Sequence, residues 1–289
     1  MIRNRFSSLI YSLLIAFGGW GGVSAAPIEA DRVVVLGSGL TELFFYLGHG
    51  DHVVGRTRYA TYPEEARMVR DVGGMIDPDF ETILGIDPDL ILINHLAAVD
   101  ENLDRLRSLD IPVRIAPMED LDDLFSATLL IGQIAGELEA AMALVDAWKE
   151  LVAEARADGN SVSKSILLTY DAEDLYAAGE GSFPGDLIET VGLRNVAAAS
   201  TSAWPQLSKE AVLADIPDVV VIASSTAGTL RRNQQTLAAI EAGSHPFWKL
   251  VFEIRRPRFV LADPGLFVVN GPRTIDALAM LQDLSKPHQ

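Results

Sequence analysis

The sequence predicts an α/β protein: two parallel-sheet α/β lobes joined by one long helix, with a ligand cleft between the lobes. Three observations predict it. A thirteen-residue template occurs once in each half, Glu81-Thr82-Ile83-Leu84-Gly85-Ile86-Asp87-Pro88-Asp89-Leu90-Ile91-Leu92-Ile93 and Glu210-Ala211-Val212-Leu213-Ala214-Asp215-Ile216-Pro217-Asp218-Val219-Val220-Val221-Ile222. Each copy keeps Glu, an apolar pair, Pro-Asp and an apolar run in one register, the pattern of a short helix ended by Pro and followed by a buried strand. Short apolar runs alternate with helical patterns on both sides of the chain's middle, as parallel α/β units do. Between them, Leu121 to about Ala157 contains no proline and repeats its apolar residues at helical spacing. Building one unit twice points to two similar lobes, and the crevice between lobes is a natural place for a small ligand.

In order along the chain, Arg3 and Arg5 precede an apolar stretch from Leu9 to Phe17, and Ser24-Ala25-Ala26 offers small residues for cleavage. This is the form of a signal peptide over residues 1–26, with an apolar stretch short of the roughly twenty residues that a membrane span requires. The chain has no cysteine, so acylation at a lipobox cysteine, disulfides and thiolate chemistry are not expected. Arg32-Val33-Val34-Val35-Leu36 is a strand stopped by Gly37-Ser38-Gly39, with a helix over Thr41 to Leu47. Further strands are predicted at 52–55, 90–93 and 112–115, with helical patterns at 64–70, 80–84 and 103–109; these complete an N-terminal lobe over 27–118.

In the segment 119–160, Leu124, Thr128, Ile131, Ala135, Leu138, Met142, Val145, Lys149 and Val152 recur at helical spacing. They predict one long connecting helix that stops at Asp158-Gly159-Asn160, in which Gly132 and Gly136 mark a bend or a close packing contact, with two helices and a short break as the alternative. The C-terminal lobe, 161–289, resumes the alternation with strands at 165–169, 219–222 and 259–261 and helices at 184–191 and 236–242. A last helix begins near Pro272.

Composition narrows the function. The net charge is −17, and removing the leader, with its two arginines and no acid, makes it −19. Such a field repels phosphate backbones, so nucleic-acid binding is not expected. Gly37-Ser38-Gly39 is followed by Glu42 where a dinucleotide loop needs its third glycine. None of the five histidines stands in a HExxH-like or paired spacing, so a bare-metal cage is not expected. No GxSxG elbow occurs and no acid–base pair assembles, so no enzyme is expected.

Aromatic and polar residues are instead placed in loops just past strand ends, where α/β sheets open their ligand crevice. Tyr59 and Tyr62 follow the second strand, Asn94 and His95 the third, Tyr170 and Asp171 the first of the second lobe, and Asp263-Pro264 its last. Trp204 stands just before the second template copy. Such rings suit a bulky planar ligand, or they cover the sheet ends. Glu81 and Glu210, each near a helix start, either serve the helix dipole or await a partner's arginines.

Taken in order and spacing, several motifs resemble one family. These are Tyr62-Pro63-Glu64-Glu65-Ala66, Val72-Gly73-Gly74-Met75 leading through Asp77-Pro78-Asp79-Phe80-Glu81 to Pro88-Asp89-Leu90, Gly192-Leu193-Arg194-Asn195-Val196, Trp204-Pro205-Gln206-Leu207-Ser208-Lys209-Glu210 and Gly271-Pro272-Arg273. They resemble the periplasmic binding proteins of ABC importers for metal chelates, a class that includes vitamin B12, ferric-siderophore and haem binders. The resemblance covers nearly the whole mature chain. It implies a long helix joining two lobes, a ligand in the cleft and little closure on binding. It also implies that Glu81 and Glu210 dock onto permease arginines, that Trp204 packs on a corrinoid with Tyr59 in contact, and that Asp263 lies on the cleft rim.

Two departures stand out: Asn94-His95 occupies the place of one B12-binder tryptophan, and Gly73-Gly74 the region of another. Thr61-Tyr62-Pro63 with Gly271-Pro272-Arg273-Thr274 also resembles haem binders, in which a tyrosine at the Tyr62 position ligates iron through its phenolate. Arg56, Arg58 and Arg273 would then meet siderophore acids or haem propionates. The resemblance thus implies a monomeric, unlipidated periplasmic protein that captures a metal chelate, cobalamin or a related corrinoid first, ferric siderophore or haem second. It would deliver the chelate to an inner-membrane permease and its ATPase. The cobalt or iron belongs to the ligand, and no cofactor of the chain's own is expected.

Overall fold

A computed structural model describes residues 29–94, 100–159, 164–200, 202–224, 227–263 and 265–286. The expected signal peptide, His95 and Pro264 lie outside the described residues. Val33–Leu36 (β1), Val53–Arg56 (β2), Arg70–Asp71 (β3), Leu90–Ile93 (β4) and Val113–Ile115 (β5) form a sheet ordered β3-β2-β1-β4-β5, all neighbours parallel. β1 and β4 are buried along their whole length. Their sequences are accordingly unbroken apolar runs with no polar alternation. Ser38–Tyr46 (α1), Phe80–Ile86 (α2) and Asp100–Arg107 (α3) are the lobe's helices, while the helical pattern at 64–70 becomes a 3₁₀ turn over Glu64–Met68.

The connector takes the two-helix alternative rather than the single long helix, with Leu121–Ile134 (α4) and Leu138–Gly159 (α5). The break is a Schellman motif: Gly136 takes φ +73°, its N–H donates to the Gln133 carbonyl, and Glu137 N–H donates to the Gly132 carbonyl at 2.7 Å. Helical spacing of apolar residues continued through the break because both helices bury one face. At Gly132 a Cβ would stand 2.3 Å from the Ala141 Cβ, so glycine lets α4 and α5 approach closely.

In the C-terminal lobe, Ser165–Thr169 (β6), Arg194–Asn195 (β7), Val219–Ile222 (β8) and Arg258–Leu261 (β9) pair in parallel in the order β7-β6-β8-β9. Its helices are Phe183–Thr190 (α6), Lys209–Ala214 (α7), Ala227–Glu241 (α8), Pro246–Ile254 (α9) and Thr274–Ser285 (α10). The alternation of parallel strands and helices in both halves bears out the predicted fold class. α9 carried a start signal that the strand-and-helix alternation passed over: Pro246 opens it, and His245 Nδ1 accepts from Trp248 N–H. His245 Nε2 then faces Glu173 at 2.7 Å, which makes this buried histidine structural.

Each sheet buries two faces differently. Val33, Val35, Leu90 and Leu92 of the first sheet and Ile166, Leu168, Val219 and Val221 of the second belong to one continuous core, with Leu124, Ile131, Val145, Trp148 and Leu281 from α4, α5 and α10. The opposite faces are private: Val34 and Ile91 pack with Ile83 and Leu106, and Val220 and Ile222 pack with Val212, Trp248 and Val251. The lobes therefore share an apolar layer, and a hinge between them would have to expose it.

The seam is tightest at Gly39, where a Cβ would stand 1.8 Å from the Asn270 carbonyl oxygen. Gly39→Ala is expected to cost about 1–3 kcal/mol, because backbone rather than a flexible side chain blocks the methyl. Gly85→Ala, in a helix with nothing within 4 Å of the added atom, is expected to gain about 0.5 kcal/mol. Urea denaturation of the two variants checks both signs.

Candidate functional site

The loops at the carboxyl ends of both sheets carry the residues singled out from the sequence. Tyr59 and Tyr62 lie just beyond β2 and are 57% and 49% exposed; Trp204 in the other lobe is 51% exposed. Three rings of this size left half open in two loops are candidates for ligand contact rather than core.

The Trp204 side is firmly held. Residues 175–179 and 203–207 run antiparallel: Ala177 N–H donates to the Pro205 carbonyl, Gly179 N–H to Ala203 and Leu207 N–H to Leu175. Tyr176 bridges Gln206 in this ribbon and is itself exposed. No sequence signal separated Tyr176 from an ordinary loop tyrosine. Tyr170 stands behind Trp204, with ring centroids 5.7 Å apart and planes at 58°. Its hydroxyl donates to the Phe267 carbonyl at 2.7 Å, and burial pushes its phenol pKa up, so it stays neutral. Asn233, buried, ties the strand ends together by donating from Nδ2 to the carbonyls of Tyr170 and Ala223.

The Tyr62 side is organised by a cation. The Arg273 guanidinium lies 4.1 Å from the Tyr62 ring centroid. Its Nε donates to Glu42 Oε2 at 2.9 Å and a terminal nitrogen to Oε1 at 2.7 Å, a two-point fork onto a carboxylate that is 3% exposed. Burial pushes the Glu42 carboxyl above its ordinary range, and Arg273's hydrogen bonds and charge pull it back only in part. Burial lowers Arg273, yet the bonds and charge of Glu42 more than offset it, so the arginine stays charged. The loop 262–273 connects the two sides, since Gly265 abuts the Arg273 guanidinium and Phe267 receives Tyr170.

The 262–273 loop thus meets Tyr170 at Phe267 and ends at Arg273 against the Tyr62 ring, and Trp204 follows through its ring contact with Tyr170. Tyr59 lies by Gly74, and Asp263 is exposed at the start of the same loop, after β9. Arg273 is already engaged by Glu42, and Arg56 is buried with its nitrogens donating to the carbonyls of Ala66, Thr57 and Arg67. Arg58 is exposed and pairs with Asp77 at 3.0 Å. Asn94 Nδ2 approaches Met75 Sδ at 3.6 Å. A pocket of about 570 Å³ lies elsewhere, against α4, α5 and α6, lined by Asp120, Asp122, Asp186, Glu189 and Arg156. It contains none of these aromatic residues, and its carboxylates disfavour an anionic ligand.

The template glutamates are not the caps of their helices. Asp79 accepts from Thr82 N–H and Ser208 from Ala211 N–H. Glu81 and Glu210 follow two residues later, both exposed, and neither pairs with a cation among the described residues. The other shared acids have a structural task. Asp89 Oδ2 accepts from the Asp31 and Arg32 N–H groups before β1, and Asp218 Oδ2 accepts from Ser165 N–H and Oγ at the start of β6.

Breaking the Glu42–Arg273 fork gives a test. Arg273→Met leaves a buried carboxylate without its cation and is expected to cost about 3–5 kcal/mol. Glu42→Met combined with Arg273→Met should recover most of it. With Arg273 gone the Glu42 pKa rises further, and stability from such a group is lost as pH rises through the folded value. The single variant should therefore lose more at pH 8 than at pH 5, measured by urea denaturation at both pH values.

The profile of the periplasmic binding protein family matches residues 33–246. The chain is 27% identical over 266 residues to a vitamin B12-binding protein of Salmonella choleraesuis, covering 91% of this chain and 96% of that one. It is 34% identical over 201 residues to a cobalamin-binding protein of Halobacterium salinarum, covering 67% of this chain and 54% of that one. Among solved structures, a periplasmic heme-binding protein in complex with two hemes superposes with a TM-score of 0.74 at 23% identity, covering 88% and 97%.

Proposed function

The chain belongs to the periplasmic binding protein family, and from that premise we propose that it captures a corrinoid, cobalamin or a close relative, and hands it to an inner-membrane ABC permease. As a member of that family it is a substrate-binding component of an ABC importer of the B12, haem and siderophore class, not an enzyme. The finer assignment is carried by one observation: Trp204, half-exposed, is backed by Tyr170, whose hydroxyl donates to Phe267 on the loop that ends at Arg273, the cation against the Tyr62 ring. Flat apolar faces with polar edges suit a large planar macrocycle. The relatives named for B12 and cobalamin support the same choice. The engagement of Arg56 and Arg273 inside the protein also supports it, since fewer cations remain for a ligand rich in carboxylates.

A second reading, haem, rests on Arg273 over the Tyr62 ring at 4.1 Å. A guanidinium stacked on the ring holds it in place, and Tyr62 stands at the position of the iron-ligating tyrosine that the resemblance to haem binders implies. In either case the metal arrives with the ligand. The signal peptide expected over 1–26 and the absence of cysteine fit export without lipidation, and among the described residues no helix is long and apolar enough to cross a membrane.

Cyanocobalamin at a hundredfold excess over its Kd should stabilise the purified chain by about 2.7 kcal/mol. Trp204→Ala should weaken it by about 2 kcal/mol, roughly thirtyfold, measured by calorimetric titration. A haem Soret shift that disappears in Tyr62→Phe, together with no response to cobalamin, would replace corrinoid with haem.

Glu81 and Glu210 are proposed to dock onto paired permease arginines, one from each lobe. Glu81→Arg with Glu210→Arg should leave ligand titration unchanged and abolish uptake in cells. Unimpaired uptake would return both residues to a role at the helix dipole.

A further inference from the structure

The turn that follows α1 gathers a set of donors away from the cleft. It leads into the amino end of β2, whereas the aromatic rim lies beyond the carboxyl ends. His49 and His52 stand three apart with Asp51 between them, a spacing that carried no metal signal in the sequence. The chain crosses here as a 3₁₀ turn, Gly50–His52, whose period of three places residues i and i+3 over one another. The two imidazoles meet edge to face, centroids 5.5 Å apart. Donor atoms of His49, Asp51 and His52 all lie within 4.8 Å of one another. Bonds of about 2.0–2.2 Å to one ion place its ligands up to roughly 4 Å apart, so small side-chain rotations close the set.

Two further observations point to a ligand-ready turn. His52 Nδ1 stands 2.8 Å from the Ala30 carbonyl oxygen, to which an N–H donates. That leaves Nε2 with the lone pair, and a carbonyl on the far nitrogen is the outer-shell partner that metal-bound histidines use. The turn is also packed from below: at Gly50 a Cβ would stand 2.5 Å from the Phe45 ring, so the backbone holds one path between the two histidines.

We propose that His49, Asp51 and His52 bind a divalent transition ion of the borderline class, Zn²⁺ or Ni²⁺, with water in the remaining positions. Two imidazoles and one carboxylate suit these ions, while Mg²⁺ and Ca²⁺ require oxygen sets. This ion is the chain's own, distinct from any metal inside a transported chelate. Through His52 it fastens the segment at Ala30 to the amino end of β2.

The test is calorimetric titration of the tag-free chain with ZnCl₂, with MgCl₂ as control, alongside His49→Ala, Asp51→Asn and His49→Ala/His52→Ala. The expected result is a single saturable Zn²⁺ event without a Mg²⁺ counterpart, weakened at least about tenfold in each single variant and lost in the double. His49→Ala keeps the His52–Ala30 bond, so its melting temperature in EDTA should equal that of the parent and separate ligand loss from unfolding. Zn²⁺ binding of equal strength in parent and double variant, or no saturable event in the parent, overturns the assignment.

Discussion

The buried pair between Glu42 and Arg273 is the constraint on which the functional face depends. It joins residues 231 positions apart, one on the first helix of the N-terminal lobe and one at the start of the last helix. A carboxylate in so dry a place is tolerable only with a charged, two-point partner. Meeting that demand fixes the guanidinium, which stacks on the Tyr62 ring and lies close to Gly265. The loop that carries Gly265 also receives the Tyr170 hydroxyl, which links this tie to the ring behind Trp204, while Trp204 itself is held by its own backbone ribbon.

This tie works with the shared apolar layer rather than in place of it. Residues of both sheets and of the two connecting helices pack in a single core. Gly39 and Asn270 close the seam above it. Opening the lobes would expose that layer and leave charges unpaired, two penalties of the same sign.

The internal repeat resolves into separate tasks at separate positions. Its aspartates receive the N–H groups that open the central strand of each lobe, and residues two before its glutamates cap the short helices. With strand and helix ends satisfied by others, Glu81 and Glu210 have no assigned work inside the lobes and face solvent. Their exposure on matching units is the observation behind the proposed contact with permease arginines.

The sequence by itself determined the two α/β lobes, because buried parallel strands must be unbroken apolar runs and β1, β4, β6 and β8 are such runs. It also determined the loops that bear Tyr59, Tyr62, Trp204 and Asp263, since strand ends are legible from where the runs stop. β3 and β7 escaped notice because each is two residues long and polar, with nothing for periodicity to register. Only the tertiary structure decided the rest. The connector breaks at Gly136 because a left-handed residue there satisfies the carbonyls of α4, a local geometry that apolar spacing passes over. Arg56 and Arg273 turn inward, and His49 meets His52, because charge pairing and ring contacts depend on distances through space that spacing along the chain does not encode.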